Sequence, residues 1–115
     1  MRVMVTGSRD WTDIQTVHDA LAAKSPTLVI NGRCPTGADQ YAHEWCEMTG
    51  VPEDPHPADW NQFGKRAGYL RNAEMVALRP DVVLAFPRPG SRGTNMTIDL
   101  AREAGIPVEI FEETQ

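Results

Sequence analysis

Cysteine is scarce in this chain. Its 115 residues include two, Cys34 and Cys46, too few for a disulfide scaffold and spaced like neither a CxxC redox pair nor a zinc pattern. Both read as reduced thiols of a cytoplasmic protein. Long apolar runs are missing too. Nothing approaches the roughly 20 residues of a membrane span, so no membrane partner is expected. Met1 leads straight into "RVMVTGS", which reads as a strand rather than as a targeting segment. There are no repeats and no low-complexity tracts. GxxxxGK[ST] and GxGxxG are both absent, which leaves a P-loop NTPase and a standard dinucleotide fold without support. HExxH and the deaminase pattern HxE with PCxxC are absent as well, so "HEWC" (His43 to Cys46) makes no metal site. No metal and no cofactor is expected.

Positive charge is in short supply: 11 basic residues face 16 acidic ones, for a net charge of −5. That balance disfavours a broad nucleic-acid surface. The basic residues are nevertheless concentrated. Arg9, Arg33, Arg88 and Arg92 each fall in a loop just after a predicted strand, and Lys65, Arg66 and Arg71 cluster at the start of a predicted helix. Only Arg2, Lys24, Arg79 and Arg102 lie elsewhere. An acidic body with cationic loops suits a small anionic ligand better than a long polyanion.

The apolar share of 41% supplies one core for one domain, residues 1–115. "VMVT" is a first strand ending at Gly7. "TDIQTVHDALAAK" places Ile14, Val17, Leu21 and Ala22 on one helical face, with Thr12 and Gln15 at capping-box spacing. "TLVIN" is a second strand. "TGADQYAHEWCEMTG" is a second helix with Ala38, Tyr41, Ala42, Trp45 and Met48 inward, Thr36 and Asp39 again at capping-box spacing, and Gly50 as its stop. Three prolines in "VPEDPHPADW" exclude a central strand, leaving at most a short edge strand beginning at Val51. A helix is predicted from Gln62 to Arg79 with Phe63, Ala67, Leu70, Ala73 and Ala77 inward. "DVVLAF" is a strand buried on both faces, Thr94 to Glu103 a last helix, and "VEIFEE" an edge strand. This alternation predicts an α/β, Rossmann-like, three-layer domain. Its parallel sheet has five strands, or four plus a short edge, in the order 3-2-1-4-5 with helices on both faces.

In such a sheet ligands bind at the carboxyl ends of the strands where the winding reverses, here between strands one and four. The loops that meet there are "TGSRDW" (Thr6 to Trp11), "NGRCPTGAD" (Asn31 to Asp39) and "PRPGSRGT" (Pro87 to Thr94). Each carries glycine, which lets backbone approach a ligand, and each carries arginine, which grips phosphate oxygens. Each leads toward a helix N-terminus with its free N–H groups. Gly7, Ser8, Arg9, Gly32, Arg33, Gly37, Gly90, Ser91, Arg92, Gly93 and Thr94 are the candidate phosphate-binding residues.

"GSRDW" (Gly7 to Trp11), "NGRCPTGADQYA" (Asn31 to Ala42), "HPADW" (His56 to Trp60), "AGYLRNAEM" (Ala67 to Met75) and "PGSRGT" (Pro89 to Thr94) together resemble the YspA-like, YpsA-related branch of the SLOG superfamily of bacteria and phages. The resemblance covers nearly the whole chain and implies a Rossmann-like fold with a nucleotide or nucleotide-derived ligand. Relatives include the lonely-guy phosphoribohydrolases and the DNA-processing protein of natural transformation, and self-association as dimers or larger is implied. The phosphoribohydrolases carry PGGxGT followed closely by a catalytic glutamate. Here Ser91 replaces the second glycine, and Asn95, Met96 and Thr97 follow Thr94. The nearest carboxylate is Asp99, well around the helix.

Several residues admit two readings. Asp39 is either a capping residue or a site residue that binds a ribose hydroxyl or assists catalysis. Arg71 and Asn72 lie either on a solvated helix face or, as the family pattern implies, in the crevice. Trp11 and Trp60 fill core unless one stacks on a base. Cys34 is a bystander thiol or, in its cationic loop, one of lowered pKa. His18, His43 and His56 suggest no partners. Two functions follow. The first is a binding module, a sensor or carrier of a nucleotide. The second is a hydrolase of the N-glycosidic bond in a nucleoside 5′-monophosphate, with Asp39 or Asp99 as the carboxylate that stabilises an oxocarbenium-like transition state. Single-strand DNA binding, a third reading, is opposed by the negative charge.

Overall fold

A computed structural model describes residues 1–113. Five parallel strands form one sheet in the order β3-β2-β1-β4-β5, the order the sequence predicts. They are β1 (Arg2–Gly7), β2 (Leu28–Asn31), β3 (Glu53–Pro55), β4 (Val82–Phe86) and β5 (Val108–Ile110). The helices are α1 (Ile14–Lys24), α2 (Ala38–Thr49), α3 (Trp60–Phe63), α4 (Ala67–Ala77) and α5 (Arg92–Glu103), with a 3-10 turn at Gly64–Arg66. No helix among the described residues is long and apolar enough to cross a membrane.

The pleat divides the central strands between two cores, because successive side chains point to opposite faces. Val3, Val5, Val29, Val82, Leu84 and Phe86 pack on one side against Val17 and Leu21 of α1 and Ala38, Ala42 and Trp45 of α2. Met4, Ile30 and Val83 pack on the other against Met75 and Val76 of α4 and Ala101 of α5. All five residues of β4 are buried, as expected of a strand covered on both faces. Trp11 is core: it is 1% exposed, meets Phe86 edge-on at 5.4 Å, and donates its indole N–H to the Asp13 carbonyl at 2.9 Å.

Several local expectations are corrected. α1 is capped by Asp13, which accepts from the Thr16 N–H at 3.2 Å, rather than by a Thr12–Gln15 box; Thr12 bonds Glu113 instead. α2 has Gly37 at its N-cap with no side-chain cap. The Thr36 hydroxyl donates to the Arg9 carbonyl at 2.9 Å, so no capping box forms with Asp39. Ile14 and Met48, predicted inward, are exposed; each sits at an end of its helix. Ala22 is exposed as well. The edge strand starts at Glu53, not Val51, and an edge position tolerates Pro55.

The single helix predicted from Gln62 to Arg79 is α3, the 3-10 turn and α4. Asp59 caps α3 by accepting from the Gln62 N–H at 3.1 Å, and Gly64 breaks the run with φ +58° and ψ −135°. That break rotates the pattern. Ala67, Asn72, Met75 and Val76 face inward, while Phe63, Leu70, Ala73 and Ala77 are exposed.

β1 lies between β2 and β4, and its parallel register with β4 runs from Val3 opposite Val82 to Gly7 opposite Phe86. The C-terminal ends of these three strands therefore open on the same edge of the sheet. The loops that leave them build the site.

Candidate functional site

Gly7 ends β1 with no room for a side chain. A Cβ there would lie 2.4 Å from the Ala38 Cβ and 3.1 Å from the Phe86 carbonyl oxygen. This close approach lets the N-terminus of α2 rest on the β1 loop, where the Ala38 N–H donates to the Ser8 carbonyl at 3.3 Å. Gly37, at φ +76°, presses against the same carbonyl; a Cβ would meet it at 2.2 Å. The first two loops are thus locked together by two glycines for separate steric reasons.

Between these loops, α4 and the start of α5 lies a cavity of about 390 Å³. Of the residues nominated from sequence, Gly7, Ser8, Arg9, Asp39, Arg71, Asn72, Ser91, Gly93 and Thr94 line it. Gly32, Arg33, Gly37, Gly90, Arg92 and Asp99 do not line it. Gly32 instead gives its carbonyl to Arg71. Arg33 has its own N–H on the Asn31 side-chain oxygen at 2.8 Å. Gly90 and Arg92 shape the turn before α5, with the Arg92 N–H donating to the Gly90 carbonyl at 2.9 Å; the Arg92 side chain is exposed. Asp99 is exposed on α5, seven residues past its start, or roughly 10 Å along the axis, while Thr94, Thr97, Ile98 and Ala101 form the buried face. Arg88 is engaged elsewhere, paired with Glu113 at 2.7 Å.

Asp39 is 5% exposed and sits in the first turn of α2. One carboxyl oxygen accepts from the Cys34 N–H at 3.3 Å. The other, Oδ1, is buried with no hydrogen-bond partner among the described residues. Burial raises the Asp39 pKa above the ordinary carboxylate value, and the Arg71 guanidinium partly opposes the rise. The Cys34 thiol is also pushed up, first by burial and then by the Asp39 charge. The cationic loop does not lower it.

Arg71 joins the two halves of the cavity. Its guanidinium donates to the Gly32 carbonyl at 2.7 Å and to the Asn72 side-chain oxygen at 2.8 Å. Asn72 in turn reaches the Gly93 carbonyl at 3.5 Å, an oxygen that also accepts from the Thr97 hydroxyl at 2.9 Å. The pair therefore faces the crevice rather than solvent. It ties the loop after β2 to the first turn of α5.

That first turn is open. The Gly93 and Thr94 N–H groups have no acceptor among the described residues, and both residues line the cavity, so the partial positive charge of a helix N-terminus lies at its wall. Lys65, Trp60, Gly68 and Tyr69 complete the wall. The Arg9 guanidinium lies 5.4 Å from the Trp60 ring centre, a cation–π distance. Arg9 and Lys65 make no ion pair among the described residues. The sequence flagged the Lys65 charge cluster, but gave no sign that Tyr69 borders the cavity.

The histidines have partners that the sequence did not suggest. His43 meets Glu53 at 2.8 Å, His18 meets the Tyr41 carbonyl at 3.1 Å, and His56 lies 3.1 Å from Asp54. These contacts tie α2 to the sheet edge and α1 to α2.

Comparison with known proteins agrees with this architecture. The family described as "YAcAr: YspA, cpYpsA-related SLOG family" matches residues 1–63, the segment that carries the β1 loop, the β2 loop and Asp39. A protein of Mycobacterium phage D29, the Gene 61 protein, is 46% identical over 120 residues, covering 96% of this chain and 95% of that protein. The likeness thus extends through α4 and α5, beyond the family match. On both grounds this chain belongs to the YspA, cpYpsA-related SLOG family.

Proposed function

We propose that the cavity binds a nucleotide or nucleotide-derived phosphate ligand and that the protein acts as its sensor or carrier. The observation that carries this reading is the open first turn of α5, whose Gly93 and Thr94, with N–H groups that have no acceptor among the described residues, line a cavity that Arg9, Lys65 and Arg71 also line. A helix N-terminus with nearby cations holds phosphate well. The half-exposed Trp60 and Tyr69 add flat apolar surface suited to a base. The volume lies within the range of small-molecule sites, roughly 300–1,000 Å³.

A second reading, hydrolysis of the N-glycosidic bond, is favoured by one feature. Asp39 is a buried carboxyl group on the cavity wall with an unpartnered oxygen, an environment in which a carboxyl can act on a glycosidic bond. The first turn of α5 contributes no carboxylate, so Asp39 would act without the glutamate of the phosphoribohydrolases.

The test is a thermal-shift screen with nucleoside mono-, di- and triphosphates, cyclic nucleotides and ADP-ribose, with each hit incubated and analysed for free base by chromatography. A ligand that raises the midpoint and returns intact supports the sensor or carrier. Base released by the parent and not by Asp39→Asn supports the hydrolase. No shift with any compound overturns both.

A further inference from the structure

We infer that Glu113, in the segment that follows β5, is a positioning residue for the cavity: it clasps the loop after β1 to the loop after β4 and so sets the spacing of the two walls that those loops supply. The inference rests on the nucleotide reading above and adds to it the device that shapes the site from outside.

The chain reaches this place by extending the sheet. Beyond Ile110 the Phe111 N–H donates to the Ala85 carbonyl at 2.9 Å, and the Phe111 ring stacks on Phe86 with ring centres 5.1 Å apart. These contacts lay the next residues across the C-terminal end of β4. Glu113 then bonds in two directions. One carboxylate oxygen accepts from the Thr12 N–H at 2.9 Å and from the Thr12 hydroxyl. The other accepts from the Arg88 guanidinium at 2.7 Å. Thr12 belongs to the loop after β1 and Arg88 to the loop after β4. Hydrogen bonds to an ionised group are the stronger kind. The Glu113 side chain is only 15% exposed, so solvent ions screen them weakly.

Both ends of the clasp lead to the cavity. The Arg88 N–H donates to the Ser91 hydroxyl oxygen at 3.2 Å. The Arg88 guanidinium lies 3.8 Å from the Asp10 carboxylate, which accepts from the Ser8 hydroxyl. Ser8 and Ser91 line the cavity, whereas Thr12, Arg88 and Glu113 do not. Glu113 therefore acts on a ligand only through the loops. The Ser8 N–H, on the Phe86 carbonyl at 3.0 Å, holds the root of the β1 loop without it. Loss of the carboxylate loosens what lies beyond that root, and with it the turn that leads to Gly93 and Thr94. A ligand must then order what the clasp had ordered, which lowers its affinity. The coupling is reciprocal: a ligand that holds the two loops also tightens the clasp behind them.

The experiment is calorimetric titration of the parent, Glu113→Gln, Arg88→Met and the double variant with the four ribonucleoside 5′-monophosphates. Amide hydrogen exchange at Thr12 is followed with and without the tightest of them. Each single variant should bind roughly fivefold or more weakly than the parent. The double variant should bind no more weakly than the poorer single one, because both changes break one clasp. Ligand should slow exchange of the Thr12 N–H in the parent severalfold and leave it unchanged in Glu113→Gln. The exchange measurement on the parent stands whatever the stability of the variants. A clasp that serves stability alone would lower the urea midpoint of Glu113→Gln and leave its affinity within about twofold of the parent; that result overturns the inference and leaves the nucleotide reading intact. Losses that multiply in the double variant, or Thr12 exchange indifferent to ligand in the parent, overturn it as well. Absence of binding by the parent to all four compounds overturns the inference together with the reading it rests on.

Discussion

At the scale of single residues, the site works against the stability of the molecule that carries it. Asp39 is the clearest case. Its pKa is raised in the folded chain, chiefly by burial, so between the ordinary carboxylate value and the raised one the folded state holds more proton than the unfolded state. Stability from this group therefore falls as pH rises through that window. Cys34 and Arg71 are the ionisable side chains that act on it. Asp39→Asn removes the buried charge at nearly constant shape. It should be more stable than the parent at pH 7, by about 1 kcal/mol or more, with the gap closing toward pH 4. Urea denaturation across that range checks this; a variant weaker at pH 7 would make the carboxylate a structural anchor instead. Gly37 is the opposite case, a residue whose smallness serves the fold. Gly37→Ala forces a side chain into φ +76° and against the Ser8 carbonyl, and should cost about 2 kcal/mol or more in the same measurement. It should also loosen the contact between the β1 loop and α2.

At the scale of elements, α4 sets how the two ends of the cavity relate. Arg71 spans from the Gly32 carbonyl to Asn72, and Asn72 reaches the start of α5. A planar guanidinium can hold both partners in fixed geometry, whereas an ammonium cannot. Arg71→Lys keeps the charge and should still lose about 1–2 kcal/mol of stability and roughly tenfold in affinity for a nucleoside monophosphate. Denaturation and titration of the same preparation measure both; full affinity in the variant would mean that Arg71 supplies charge alone. α4 is also where the sequence was hardest to read. The strands were legible because "VVLAF" and "LVIN" are short apolar runs with no competing helical length, and the strand order followed from alternation. The helix face was not legible, since the break at Gly64 and the polar, buried Asn72 defeat a pattern built on apolar spacing. The caps were misread for a similar reason: Asp13 and Thr12 both suit an N-cap, and only the Thr12–Glu113 contact across the fold decides between them. The loops that supply the cavity were readable from glycine and arginine. Which arginine faces inward was not: Arg33 and Arg92, nominated beside Arg9, do not line the cavity, and Arg92 is exposed in the turn that starts α5.

At the scale of the whole molecule, the two edges of the sheet divide the labour. The residues proposed to hold the ligand gather at the C-terminal ends of the strands, and the opposite edge is fastened by backbone-directed bonds. There the Arg2 guanidinium donates to the Leu78 carbonyl at 2.8 Å and the Arg79 carbonyl at 3.1 Å, closing the end of α4, while the Arg2 N–H donates to the Asp81 carboxylate at 2.7 Å. Lys65, at the other edge, lines the cavity and has no ion-pair partner among the described residues. The two basic residues should therefore respond in opposite ways. Arg2→Ala frees two carbonyls from their donor and should lose about 1–2 kcal/mol of stability, with affinity for a nucleoside monophosphate unchanged. Lys65→Ala should leave stability within about 0.5 kcal/mol and weaken the same binding severalfold, more at low salt than at high, because an exposed cation acts on phosphate through a screened field. Thermal melts and titrations of both variants at two salt concentrations carry the comparison. Loss of affinity in Arg2→Ala equal to that in Lys65→Ala would mean that the edges are coupled through α4, and that stability and ligand binding are not separable in this fold.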